Sequence, residues 1–80
     1  MAIYIDIQMV DEDQSTKYYS FSSSFGEEYG VLAIDLSNGE IELVKTTNPE
    51  RIDFAYPRAR RAVSKHFETG SLPIRLSYAA

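Results

Sequence analysis

Two carboxylates flanking a turn, four cations at helical spacing and one histidine are the groups in these 80 residues whose types and spacing bear on chemistry. Asn38-Gly39 sits between two apolar runs, the pattern of a two-residue type I′ hairpin. Such a turn sets Leu36 opposite Ile41, Asp35 opposite Glu42 and Ile34 opposite Leu43. Opposed carboxylates can share a proton for acid–base work, chelate a hard cation, or receive a cationic side chain. The first use needs a desolvated carboxyl, and this face reads as wet. The second needs several converging oxygens, and no loop here has ligand spacing, so neither metal nor cofactor is expected. The third needs only an exposed face.

Asp6 points away from the apolar row of its own segment and joins the other two acids if that segment lies beside the hairpin. Tyr4 and Tyr18 also point away from their apolar rows. Tyrosine brings large contact area at low entropic cost, and its ring accepts arginine and lysine. Tyr4, Asp6, Tyr18, Asp35 and Glu42 therefore form the candidate partner-binding set. The plainer alternative is a solvated outer sheet face, with tyrosines placed by strand propensity.

At 100° per residue, Arg51, Arg58, Arg61 and Lys65 fall within about 80° of one another, with Arg60 on the far side. This stripe suits phosphate contact. It is equally what a solvated helix face looks like, with Glu50 and Glu68 beside it. His66, the single histidine, falls on the apolar side of the same segment and reads as a packed residue with one hydrogen bond. Ser22-Ser23-Ser24 lacks the glycines of a nucleophile elbow. Gly26, Gly30 and Gly39 form no phosphate loop. With no nucleophile, base and orienting group placed together, the chain is not expected to be an enzyme.

The charge is divided along the chain. Residues 1–50 hold ten acids and two bases, a net of −8; residues 51–80 hold six bases and two acids, a net of +4, which together make the overall −4. Such asymmetry bears on partners rather than on fold. Cysteine is absent, so neither disulfides nor thiolate metal sites contribute. No apolar run reaches the roughly 18 to 20 residues a membrane helix needs. Met1–Val10 has no signal-peptide pattern. The expectation is a cytoplasmic protein with residues 1–80 in a single domain.

The elements that must position these groups follow from periodicity. Ile3, Ile5, Ile7 and Met9 alternate with Tyr4, Asp6 and Gln8, a half-buried strand. Residues 11–16 read as a solvated loop. Tyr19, Phe21 and, if the second strand runs on, Phe25 share a face. Leu32, Ile34, Leu36, Ile41 and Leu43 form the core face of the hairpin, because a one-residue slip would expose them all. From Asn48 the period changes to 3.6. Asn48 suits an N-cap, Pro49 the first helical position and Gly70 the stop. Ile52, Ala55, Tyr56, Ala59, Ala62, Val63, His66 and Phe67 share one arc of about 140°. The phase carries through Pro57, which favours one helix, kinked there, over two short ones. Ile74, Leu76 and Tyr78 make a short last strand.

The expected fold is α+β: an antiparallel four-strand meander, one helix packed on a single face, and a C-terminal strand, in the order ββββαβ. The leading functional expectation is a small acidic protein-interaction module, of the inhibitor or immunity type, that binds a basic protein through Tyr4, Asp6, Tyr18, Asp35 and Glu42. The alternatives are a nucleic-acid-associated protein using Arg51, Arg58, Arg61 and Lys65, and, last, a small enzyme. A homo-oligomer is compatible with the first two.

Overall fold

The computed structural model describes residues 4–79. The elements run β1 (Tyr4–Glu12), β2 (Thr16–Ser23), β3 (Glu28–Asp35), β4 (Ile41–Thr46), α1 (Ile52–Glu68) and β5 (Arg75–Ala79), the expected ββββαβ. The sheet is antiparallel throughout, with strand order β4-β3-β2-β1-β5. Four strands meander, α1 crosses one face, and β5 returns beside β1.

The covered face carries the core. Ile5, Ile7, Tyr19, Phe21, Leu32 and Ile34 are fully buried beneath Ala55, Ala59, Ala62 and Val63 of α1. Each large apolar side chain removed from water contributes about 1.5–3 kcal/mol. Helix alanines add little area themselves, but they let the helix backbone approach the sheet. Ile3, expected in the same row, lies outside the described residues. Tyr19 is buried with its hydroxyl satisfied, donating to the Pro73 carbonyl at 2.9 Å. Burial first, and the charge of Glu12 second, raise its pKa above the usual tyrosine value.

The helix runs unbroken through Pro57. Proline has no N–H, so the Asp53 carbonyl loses its helical donor. The next carbonyl, that of Phe54, accepts a guanidinium N–H of Arg58 at 2.8 Å. The same guanidinium lies 4.3 Å from the centre of the Phe54 ring. At the start, the Asn48 side chain accepts the Arg51 N–H at 3.3 Å, but residues 49–51 form a turn and the helix begins one turn later than expected. At the end, Gly70 adopts φ +79°. Its N–H bonds Phe67 O at 3.0 Å and that of Ser71 bonds His66 O at 3.1 Å, the paired closure that a left-handed C′ residue permits.

The β3–β4 hairpin departs from the two-residue turn. Ile34 pairs with Ile41, Ala33 with Glu42 and Leu32 with Leu43. Asp35 N–H bonds Glu40 O, and Gly39 N–H bonds Asp35 O, so residues 36–39 form a four-residue loop. Only glycines have positive φ among the described residues, which excludes a type I′ turn at Asn38. The Asp35 carboxylate holds the loop open by accepting both the N–H and the hydroxyl of Ser37. Leu36 N–H is taken by Ser15 O of the neighbouring β1–β2 hairpin. The shift is two residues, so Leu32, Ile34, Ile41 and Leu43 keep their face and only Leu36 leaves it.

Two further expectations are corrected. The loop expected over residues 11–16 is only residues 13–15: β1 extends to Glu12 and β2 starts at Thr16. Phe25 is not on β2, which ends at Ser23; it sits in the following turn, 97% exposed. Gly30 is the point of closest approach inside the sheet. A Cβ there would run into the Lys45 carbonyl and crowd Phe21 and Ile52.

Candidate functional site

The helix-free face of the sheet is where the pairing register gathers polar groups. Asp11 of β1 pairs with Tyr18 of β2, Tyr18 with Ala33 of β3, and Ala33 with Glu42 of β4, so these four make one row across the sheet. Thr16 and Asp35 stand as the next pair toward the hairpin loops. Ala33 is the smallest side chain of the row and leaves a dip between Tyr18 and Glu42. An open concavity of about 800 Å³ occupies this dip, lined on the sheet by Thr16, Tyr18, Ala33, Asp35, Glu42 and Val44. It continues around the β4 edge to Arg60 and Ser64 of α1.

Local hydrogen bonds favour the charged form of two acids at the hairpin loops. The Ser37 hydroxyl, and then the Ser37 N–H, hold the Asp35 carboxyl below the usual aspartate range. In the adjacent hairpin the N–H groups of Ser15 and Thr16 do the same for Asp13. Glu42 is exposed and stands opposite Ala33, not opposite Asp35 as the two-residue turn required. The two carboxylates are therefore not a face-to-face pair, and the geometry for a shared proton is missing.

The expected five-residue set divides in two. Tyr18, Asp35 and Glu42 come together near the hairpin loops. Asp6 stands between Ser22 of β2 and Ser77 of β5, with β2 and β3 separating it from β4. Its carboxylate lies 3.3 Å from the guanidinium of Arg75. Tyr4 lies beyond it, opposite Ala79 at the far end of β1. Tyr4 and Asp6 thus form a separate group with Arg75.

Asp11 is a site residue the sequence reading misses. Simple alternation puts Asp11 in the row of Ile7 and Met9; an irregularity between Met9 and Asp11 turns it outward instead. An acid continuing an apolar row is the one signal that could have flagged it. Lys45, opposite Val31, is farther along the bare face.

The basic stripe is also rearranged. Arg58 is half-buried against Phe54 and spends its guanidinium within its own helix. Arg51 is exposed but precedes the helix. Arg61 and Lys65 are exposed and share a shallow groove with Pro57, Arg60, Ser64 and Glu68. Among the described residues the ion pairs are Lys17–Glu12 at 3.9 Å and Arg75–Asp6, and neither involves the helix. His66 is half-buried, and its ring has no hydrogen-bond partner among the described residues.

Among the described residues no group of three or more His, Cys, Asp or Glu is placed to hold a metal ion. No described helix is long and apolar enough to cross a membrane. Compared with protein-family models, with curated proteins and with solved structures, the chain matches none.

Proposed function

We propose that this chain is a protein-interaction module that receives a basic segment of a partner protein on the helix-free sheet face, at the end where Tyr18, Asp35 and Glu42 surround Ala33 and Asp11 extends the row beyond Tyr18. The observation that carries the reading is the open concavity of about 800 Å³ at that row. It combines an aromatic wall with carboxylates, and the one base lining it is Arg60, reached around the β4 edge. Spread-out carboxylates beside a tyrosine ring suit guanidinium and ammonium groups, which they bind by charge and through the ring face. An inhibitor or immunity-type role in the cytoplasm is one use of such a surface.

A labelled nona-arginine peptide provides the test, by fluorescence anisotropy at low and high salt. The combined variant Tyr18→Ser, Asp35→Asn, Glu42→Gln should bind at least about tenfold more weakly, a loss of about 1.4 kcal/mol. Asp6→Asn, at the other end of the face, should bind as the parent does. Equal binding by the parent and the triple variant would mean that the peptide reads only net charge, and the reading fails.

A second reading, nucleic-acid contact through the helix, is favoured by the exposure of Arg60, Arg61 and Lys65 on one groove. It predicts salt-sensitive binding of single-stranded RNA that Arg61→Ser with Lys65→Ser abolishes.

A further inference from the structure

The β2–β3 turn displays an aromatic side chain that the fold does not use. Phe25 is 97% exposed, whereas the other described phenylalanines are buried or half-buried. The turn that carries it is held by four bonds. Ser23 N–H bonds Glu27 O at 2.8 Å, and Gly26 N–H bonds Ser23 O at 3.0 Å. The Ser23 hydroxyl oxygen accepts the N–H groups of Phe25 at 3.3 Å and Glu27 at 3.1 Å. Gly26 supplies the positive φ, +90°, that lets the chain reverse there. An exposed aromatic on a preorganised turn loses little conformational freedom when it docks, which is the condition for an interface anchor. Glu27 beside it is exposed and charged, while the Glu28 carboxylate accepts the Thr47 hydroxyl at 2.7 Å.

The same chain carries a complementary recess. Between α1 and β5 lies an open groove of about 490 Å³ whose walls include Ala62, His66 and Tyr78, with Arg61 and Lys65 at its margin. Ala62, His66 and Tyr78 give the groove an apolar and aromatic lining for an aromatic, and Arg61 and Lys65 give two cations for the acid beside that aromatic. It is distinct from the concavity assigned to a basic partner.

We infer that the occupant of this groove is the Phe25 turn of a second copy of the chain, with Glu27 of one copy meeting Arg61 and Lys65 of the other. In a closed pair related by a two-fold axis, each copy uses its turn and its groove once, so no apolar anchor is left over.

Sedimentation equilibrium of the parent chain over a concentration series tests this, with circular dichroism confirming that each variant is folded. The parent should approach twice the 9.1 kDa of one chain. Phe25→Ser should dissociate it, weakening association by at least about 30-fold, with thermal unfolding of the separated chain unchanged because Phe25 is left 97% exposed by its own fold. Glu27→Lys alone and Arg61→Glu with Lys65→Glu should each weaken association, and the three substitutions combined should restore it. A parent that stays at 9.1 kDa at every concentration overturns the inference. So does a Phe25→Ser variant that associates as well as the parent, or a charge reversal that fails to rescue.

Discussion

On the helix side of the sheet, Ile5, Ile7, Tyr19, Phe21, Leu32 and Ile34 are sealed from water. On the other side the same three strands present Asp6, Gln8, Tyr18, Ser20, Val31 and Ala33, and of these only Ala33 is buried. The two sides differ in what sets them. The covered rows Ile7–Phe21–Gly30 and Met9–Tyr19–Leu32–Leu43 run straight across the strands. The irregularities fall between such rows, at Met9/Asp11, Phe21/Ser22 and Val31/Leu32. Packing against α1 thus dictates register, and the bare side takes whatever the bulges turn outward. Asp11 faces Tyr18 for that reason. A surface placed this way is free to carry charge, since its residues owe little to stability.

The sharpest way to break this comparison is to truncate one side chain on each face. Phe21→Ala should cost about 3–5 kcal/mol, through lost burial and the cavity left under Tyr56. Tyr18→Ala should cost under about 1 kcal/mol. Urea midpoints measure both, and comparable losses would mean that the bare face is structural.

Next in size is a comparison of two glycines with positive φ. A Cβ at Gly39 would lie 2.6 Å from the Phe67 ring, so Gly39→Ala meets both backbone strain and a collision with the covered side. Gly26, on the exposed turn, has nothing within 4 Å, and Gly26→Ala pays strain alone. The expected costs are about 2–4 kcal/mol and about 1–2 kcal/mol.

A gain is expected at Pro57. Pro57→Ala returns an N–H to the Asp53 carbonyl on the solvent side of the cover, and should stabilise by roughly 1–3 kcal/mol. In a chain of this size each kcal/mol raises Tm by about 4–8 °C, which calorimetry resolves. A lower Tm would show that the Arg58–Phe54 arrangement depends on the proline.

The smallest effect is in pH. Asp13 and Asp35 both have pKa values lowered from the ordinary 3.8 by bonds to the loops that bound the bare face. A lowered folded pKa contributes stability that is whole above 3.8 and is lost as pH falls through the folded values. Amide exchange at Ser15, Thr16 and Ser37 should therefore accelerate, after correction for intrinsic rates, below about pH 4 and before the covered strands open.

Much of the fold was legible because covered residues obey a period. The alternation in β1, the 3.6 phase through Pro57 and the Gly70 stop each report a local rule that tertiary packing reinforces. The hairpin was legible in face but not in register. Asn38-Gly39 points to a two-residue turn, yet Asp35 captures Ser37, Ser15 captures Leu36, and Gly39 is needed as much for its contact with Phe67 as for its φ. The candidate site was legible as residue types rather than as a constellation. Which acids meet depends on strand order, and nothing in Asp6 or Tyr4 reveals that two strands intervene before β4.

The pairing of β5 with β1 joins residues some seventy positions apart, Tyr4 with Ala79 and Ile7 with Leu76. During synthesis the meander can zip up strand by strand, but the open flank of β1 has no mate until the ribosome has released residues 75–79. Contacts so distant in sequence slow folding. A nascent chain halted after the helix would therefore expose a ready-made β edge to its neighbours, which makes residues 75–79 the segment that decides between maturation and aggregation.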